Sequence, residues 1–494
     1  MPHVITQSCC NDGSCVSACP VNCIHPGPND PRFGTSQMLY IDPAGCIDCG
    51  ACLTACPVDA IKPDRRLTAD EAVFAHVNAD YFEENPHEDR APLGPVRPRV
   101  YLDESQSRLL HVAIVGSGPA GMYTADEILR HPGARVDVFE RLNEPFGLAR
   151  FGVAPDHRRT RSITDRFRVI ANDKRFTYHL GVEIGKDLTH EQLAANYAAV
   201  VYAVGASSDH RLAIEGEELA GSMAATEFVG WYNGHVDHRA AKVRLSHSRV
   251  VIVGNGNVAL DAARILTADP ERLAETDISR DALAALRRSR VCEVVLLGRR
   301  GPEHAAFTLP ELIGLQSLPD VDIIVDNGGE PIAGNSQAAK ILAEMAAEPN
   351  RGRRRIVLRF RTAPVRVVGA ERVEGIEVAR TKLVPAADGS LRATLTDDTE
   401  IIETDMVLRS VGYRGRPIPS LPFDDKRGTV PNDKGRVTPG TYVVGWIKRG
   451  PTGFIGTNRN DAQETVASLI ADVRAERIQL KQRQRRRMWR KVLV

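Results

Sequence analysis

Residues 46 to 57 read Cys46-Ile-Asp-Cys49-Gly-Ala-Cys52-Leu-Thr-Ala-Cys56-Pro57, a C-x2-C-x2-C-x3-C-P run. Three thiolates at that spacing wrap one iron–sulfur cubane, and the fourth reaches a second cluster. A structural zinc site draws its ligands as pairs from separate turns rather than from four cysteines so close together. The pattern repeats upstream with a gap, as Cys9-x5-Cys15-x3-Cys19-Pro20, and Asp12 stands where a complete copy would carry its second cysteine. A cubane corner without its thiolate either loses its iron, leaving a three-iron cluster, or is held by the carboxylate oxygen, a harder ligand than sulfur. Cys10 and Cys23 are left over and read as small buried thiols, with Cys10 placed to exchange with Cys9.

Two glycine-rich turns carry the second kind of chemistry. HVAIVGSGPAGMYTADEIL holds Gly116-x-Gly118-x-Ala120-Gly121 between an apolar run and a helical pattern, and the next apolar run, RVDVFE, ends in Glu140. The glycines allow a tight turn and close approach to a pyrophosphate on the helix N-terminus, and the acid accepts from a ribose hydroxyl. A lone Gly-x-Gly-x-x-Gly is weak; inside a full strand–turn–helix–strand unit with its acid it is specific. The second unit, RVVIVGNGNVALDAARILT, holds Gly254-x-Gly256-x-x-Ala259, and its following strand ends in Gly298-Arg299-Arg300 instead of an acid. Two guanidiniums there fork around a 2′-phosphate, which predicts NADP(H) over NAD(H).

The elements that must position these residues follow from the whole chain. At 494 residues the length suggests about three domains at roughly 150 residues each. The 64 basic and 63 acidic residues give a net charge of +1, which argues against a uniformly basic nucleic-acid binder and against an acidic, disordered chain. Nine of the ten cysteines lie between residues 9 and 56, so the metal chemistry is confined to one small unit. The start MPHVITQSCC has no export signal and no stretch is apolar enough to span a membrane, giving a cytoplasmic expectation. Thr68-x-x-Glu71 reads as a capping box ahead of Val73, Phe74, Val77, Tyr81 and Phe82 at helical spacing. Pro86, Pro92, Pro95 and Pro98 then suit a semi-rigid extended tether.

Residues 2 to about 61 resemble the bacterial-type, seven-iron ferredoxins, and the 68–85 segment resembles their C-terminal helix. That resemblance implies that Cys9, Cys15 and Cys56 hold the defective cluster, [3Fe-4S] or Asp12-ligated [4Fe-4S]. It implies that Cys46, Cys49, Cys52 and Cys19 hold a complete [4Fe-4S] cluster. PFGLARFGVAPDH (145–157), VVYAVGAS (200–207), GNGNVALD (254–261) and VVGWIKRGPTGFIGTNRNDAQETV (443–466) resemble the adrenodoxin reductase-type ferredoxin–NADP reductases. Disulfide-reducing relatives are excluded because only Cys292 lies beyond residue 56. The resemblance implies FAD held by Gly118, Ala120, Glu140, Leu148, Val182, Trp446, Gly453, Phe454 and Ile455. For NADP it implies Asn255, Gly256, Asn257, Val258, Arg299, Arg300, Glu311 and Gly453, with His157 and Glu311 orienting the nicotinamide or relaying a proton.

The expected fold is therefore α/β with two dinucleotide-binding, Rossmann-like domains behind a small α+β ferredoxin domain. The expected boundaries are 1–61 for the ferredoxin, 62–108 for helix and linker, 109–210 and 408–473 for a split FAD domain, and 211–407 for an inserted NADP domain. A basic tail occupies 474–494. The expected activity is that of a ferredoxin–NADP(+) reductase, with hydride passing from NADPH to FAD and single electrons passing to the fused clusters or to a separate ferredoxin or other one-electron acceptor. The alternative is an electron-input subunit of a larger redox complex without independent turnover. Charge adds two expectations. Arg150, Arg158, Arg159, Arg161, Arg166, Arg168, Lys174 and Arg175 form a basic face able to steer an acidic ferredoxin, whose residues 1–61 carry one basic and five acidic residues. The tail, with nine basic residues to one acid, reads as a solvated extension of the last helix, and nothing else in the chain calls for nucleic acid.

Overall fold

The computed structural model describes residues 2–87, 89, 91, 101–385, 389 and 391–480. Most of the expected proline tether and the last fourteen residues of the basic tail lie outside these.

The two cysteine copies fold alike. Helices Ser14–Ala18 and Ala51–Ala55 each start after a glycine, Gly13 or Gly50, and each ends at the cysteine that precedes a proline, Cys19 or Cys56. Short antiparallel pairs close the unit, His3–Ile5 against Ile61–Pro63 and Ile24–His25 against Tyr40–Ile41. The capping box at Thr68 and Glu71 forms, but it opens a single 3-10 turn, and the α-helix runs from Val73 to Glu84. Phe74 and Val77 face inward, and Tyr81 stacks on Tyr40 with centroids 4.1 Å apart. Buried Asn78 fastens this helix to the head by accepting from the N–H groups of Ile5 (3.2 Å) and Ile41 (2.9 Å) and donating to the Ile5 carbonyl (2.9 Å). The helix and its last strand therefore belong to the head, which extends past residue 61.

Each nucleotide fold is a six-stranded sheet. In the first, the parallel strands 199–202, 111–115, 135–140 and 176–180 lie side by side, and the late strands 441–443 and 436–438 add to the 199–202 edge. In the second, 222–224, 407–409, 249–253, 293–297, 354–359 and 321–326 run parallel. Both sheets are apolar and covered on both faces, as parallel sheets require. The chain leaves and re-enters the first fold through one antiparallel pair, Ser208–Asp209 with Tyr413–Arg414. Strand Val407–Arg409 stays in the second sheet, so the return crossing falls just after residue 409 rather than at the expected 407/408 boundary. The second fold also carries a three-stranded antiparallel sheet, 362–368, 375–385 and 391–403, which the sequence reading did not anticipate.

The expectation of an extended tether fails at its far end. Asp103 caps a helix, Glu104–Leu109, by accepting from the Gln106 N–H, and Leu102, Ser107 and Leu110 are buried against the first nucleotide fold. The head is not held by a tether alone. Cys10, Val58 and Ala60 share one apolar core with Val112, Ile114 and Met122 of the first nucleotide fold. The Gly456 N–H donates to the Cys10 carbonyl at 2.8 Å, the Thr457 hydroxyl to the Gly34 carbonyl at 2.9 Å, and the Leu309 N–H to Gln37 at 2.7 Å.

The basic face is mostly neutralised where it stands. Of the eight expected cations, Arg159 pairs with the head, meeting Glu71 at 2.8 Å beside Lys62. Burial raises the Glu71 carboxyl, but Lys62, the Thr68 N–H and Arg159 outweigh it and bring the group down to about 2. Arg161 turns to Asn233 and Asp277, Arg166 to Asp126, and Arg175 to Asp173, while Arg150 pairs with Glu144 and Arg168 with Asp165. Docking is a packed interface with two ion pairs among the described residues, Glu71–Arg159 and Asp12–Arg459, and most cations of the basic face are paired with acids near them in the fold.

At the centre of that interface a Cβ added to Gly456 would come 2.2 Å from the Asp12 backbone nitrogen. Gly456→Ala is expected to destabilise the chain by about 1–3 kcal/mol, the usual cost of overpacking. Chemical denaturation, followed by near-ultraviolet circular dichroism, checks it; unchanged stability would mean that the two units do not meet there.

Candidate functional site

Three groups of expected residues come together. The first is the cysteine unit. Cys19, Cys46, Cys49 and Cys52 line one cavity with His3, Pro20, Val21, Cys23 and Gly50. Cys49 is exposed and its neighbour Ile47 is 59% exposed, so this cavity lies at the outer surface of the head. Cys23, left over in the sequence reading, is buried at the cavity wall with its Sγ 3.4 Å from that of Cys19. Its thiol hydrogen bonds lower the pKa values of both Cys19 and Cys46.

Within the same unit, Cys9, Cys15 and Cys56 gather around Asp12. Burial pushes Cys9 up to about 12 and raises Cys15 and Cys56, and the charges of the group raise one another further. Thiols crowded like this lose their protons only to a compensating cation, which is the condition a metal cluster meets. The donor set therefore fits iron–sulfur ligation at both places. Cys10 is buried as expected, and its carbonyl is committed to Gly456.

The second group surrounds the first glycine loop. Gly116 has φ of +104°, and a Cβ there would strike the Ala203 carbonyl at 2.5 Å, so only glycine allows the turn. A Cβ on Gly118, by contrast, would meet nothing within 4 Å, and that open side is the cradle a pyrophosphate would fill. Glu140 ends its strand with both carboxylate oxygens tied to the loop: Oε2 accepts from the Ser117 N–H (3.0 Å) and hydroxyl (2.7 Å), and Oε1 accepts from the Leu142 N–H (3.0 Å). Oε1, with a single donor, keeps a lone pair for a ribose hydroxyl.

Other expected residues converge on the same loop. A Cβ on Gly147, beside Leu148, would approach Gly118 to 3.1 Å, and one on Gly445, beside Trp446, would touch Ala120. Asp461 pins the Trp446 turn through the Gly445 N–H (2.5 Å), Lys448 (2.5 Å) and Arg449 (2.6 Å). Gly453, Phe454 and Ile455 follow, with the Phe454 N–H donating to Thr457 at 2.9 Å. Val182 is an exception: its side chain is buried in the core, and its N–H already donates to the Glu140 carbonyl at 2.9 Å. Only the rest of its backbone is left for a ligand.

The third group surrounds the second glycine loop. Gly256 is as open as Gly118, with only the Ala306 methyl near, at 3.9 Å. Asn255 accepts from the Ala306 N–H (3.4 Å) and Asn257 from the Thr308 N–H (2.8 Å), which brings the 306–311 segment and Glu311 over the loop beside Val258. Arg299 is exposed and Arg300 half-buried, and no described carboxylate pairs with either. Their backbones are pinned instead, the Arg299 carbonyl by the Thr381 hydroxyl (2.8 Å) and the Arg300 carbonyl by the Arg361 N–H (3.1 Å). This leaves two guanidiniums for a phosphate.

His157 and Glu311, from the two nucleotide folds, meet at 3.8 Å. Between them sits a cation the sequence reading missed. Arg264 is 5% exposed and donates to His157 Nε2 (2.6 Å), Asp261 (2.7 Å) and Asp156 (3.2 Å), with Glu311 3.9 Å away. Burial and the Arg264 charge lower the His157 pKa, consistent with a neutral ring accepting at Nε2. Burial raises the Glu311 carboxyl and pushes Asp261 up to about 6. Gln7 of the head completes the cluster, 3.5 Å from Glu311. The signal for Arg264 was an arginine three residues after an acid inside an otherwise apolar helix, Asn257–Thr267.

No helix of the described residues is long and apolar enough to cross a membrane. Residues 8–60 match the 4Fe-4S dicluster domain family, and residues 110–297 match the pyridine nucleotide-disulphide oxidoreductase family. A probable ferredoxin/ferredoxin–NADP reductase of Mycobacterium tuberculosis is 51% identical over 498 residues, covering 96% of this chain and 84% of the relative. The NADPH-ferredoxin reductase FprA of the same organism is 46% identical over 385 residues, 74% of this chain and 84% of its own. A solved structure of Mycobacterium tuberculosis FprA in complex with NADPH superposes with a TM-score of 0.71 at 46% identity, over 74% of this chain and 85% of that one. With half of its residues identical to those of a relative across nearly its full length, the chain belongs to the ferredoxin/ferredoxin–NADP reductase family.

Proposed function

We propose that the chain is an NADPH–ferredoxin oxidoreductase that carries its own iron–sulfur acceptor, reversible in principle, with a separate ferredoxin or other one-electron acceptor beyond it. When bound, NADPH supplies a hydride, FAD takes the pair and releases electrons singly, and the clusters accept them one at a time. The observation that carries this reading is the junction at residues 453–459. The helix that begins at Thr457 packs on the helix that follows the first glycine loop, and its first turn and the preceding Gly456 rest on Cys10 and Asp12 of the head.

The chain's own residues supply binding and orientation. Gly118, Ala120, Glu140, Leu148, Trp446, Gly453, Phe454 and Ile455 frame the FAD cradle. Asn255, Gly256, Asn257, Val258, Arg299, Arg300 and Glu311 frame the NADP cradle. His157 and Glu311, held apart and aligned by Arg264, sit where the two cradles meet and orient the nicotinamide or hold a proton beside the flavin. Cys9, Cys15 and Cys56 supply three thiolates at the inner cluster site, a [3Fe-4S] or Asp12-ligated [4Fe-4S]; Cys19, Cys46, Cys49 and Cys52 supply four at the outer, complete [4Fe-4S] site.

Three expectations test this. Anaerobic titration of the holoenzyme with NADPH should bleach the flavin and then reduce the clusters, read by absorbance and EPR. No bleaching would sink the reductase reading, and a bleached flavin beside oxidised clusters would sink the internal relay. Replacing Arg299 and Arg300 by Ala should raise the KM for NADPH by roughly 10- to 100-fold, the worth of a lost charge-assisted contact, and leave that for NADH nearly unchanged. Arg264→Met should cost about 3–5 kcal/mol in a denaturation experiment, because it strands buried acids without their cation; a loss below 1 kcal/mol would contradict the buried network.

A further inference from the structure

We infer that Arg459, carried by the reductase half, withholds the Asp12 carboxylate from iron and thereby fixes the Cys9–Cys15–Cys56 site as a three-iron site. The inference rests on the proposal that the head holds two clusters, and it settles which of two forms the inner one takes.

Asp12 stands at the position of the missing thiolate, yet both of its carboxylate oxygens are engaged. Oδ1 accepts from the Ser14 N–H at 3.1 Å. Oδ2 accepts from the Ser14 hydroxyl at 2.5 Å and from Arg459 Nη1 at 3.3 Å. The same guanidinium nitrogen donates to the Asp12 carbonyl at 3.1 Å and to the Ser14 hydroxyl at 2.5 Å. Arg459 therefore grips the loop at three points, and the Asp12 side chain, 6% exposed in this pocket, has little room to swing. The backbone has none: Gly456 donates to the Cys10 carbonyl, and its Cα lies too close to Asp12 for any side chain between them.

For an Asp12 oxygen to bond iron, it must leave a cation and a hydroxyl in a buried place, where charge-assisted hydrogen bonds are strongest. Arg459 also supplies the positive charge that three thiolates and an unligated carboxylate require nearby. Because it belongs to helix Thr457–Arg474 of the first nucleotide fold, a free-standing head lacks this restraint. The reductase half selects the cluster that faces it.

The test uses the full holoenzyme under argon. The oxidised protein should show the EPR signal of a three-iron cluster at close to one spin per chain. That signal should survive one-electron reduction by dithionite, addition of ferrous ion and reoxidation with a mild dye. In Arg459→Met the same treatment should cut it severalfold. There the reduced three-iron core, of charge 0, adds Fe2+ to give a four-iron core of charge 2+, with a new bond from Asp12 oxygen to the incoming iron and no further electron transferred. Arg459→Lys should keep most of the signal, and Asp12→Asn placed in the Met background should restore it, which a merely structural arginine would not do. Ser14→Ala, which leaves the ion pair between the units in place, should give a smaller loss in the same direction and serves if the Met variant does not fold.

A native protein without the three-iron signal but with iron and sulfide present, or an Arg459→Met variant that keeps the full signal, overturns the role of Arg459. Absence of iron and sulfide overturns the cluster reading itself.

Discussion

The backbone-to-backbone contact between Gly456 and the Cys10–Asp12 segment is the constraint on which the rest of the molecule depends. Electron transfer between bound groups decays steeply with distance, so a relay needs its carriers held, not merely kept in the same volume. A linker alone would raise the effective concentration of the head near the reductase. Here the head shares a core with the first nucleotide fold, and one side chain at position 456 would force them apart.

That contact also orients the head. The loop that carries Cys9 and Cys15 lies against Gly456 and Arg459, and the Cys19, Cys46, Cys49 and Cys52 cavity is walled by head residues and opens outward at Cys49. In the proposed relay, the inner site would face the reductase half and the outer site would face outward. Gln7 also reaches Glu311, so the head touches the His157–Arg264–Glu311 cluster as well. Both ends of the proposed chemistry are within reach of the same small unit.

Much of this was legible because the signals are local. Cysteine spacing, the glycine turns with their acidic or basic endings, and the segments 443–466 and 254–261 each bring their residues together within a short stretch of chain. The unforeseen parts depend on distance in the chain. Arg264 becomes a site residue only when two nucleotide folds close around it, and Arg459 only when the head docks 447 residues from its own position. Cys23 was read as buried, which it is, but its place between Cys19 and Cys46 depends on the head's pseudo-repeat folding. At the basic face, 150–175, charge counts along the sequence did not show that most of those cations pair with acids close at hand in the fold.

The central claim, that the head is a fixed acceptor and not a tethered partner that must find its dock, is tested most directly by stopped-flow mixing of the holoenzyme with NADPH at several protein concentrations. After flavin bleaching, the cluster absorbance should fall as a first-order process whose rate constant is the same over a tenfold range of protein. A rate that rises in proportion to protein concentration would mean that electrons pass between chains, and would contradict the account.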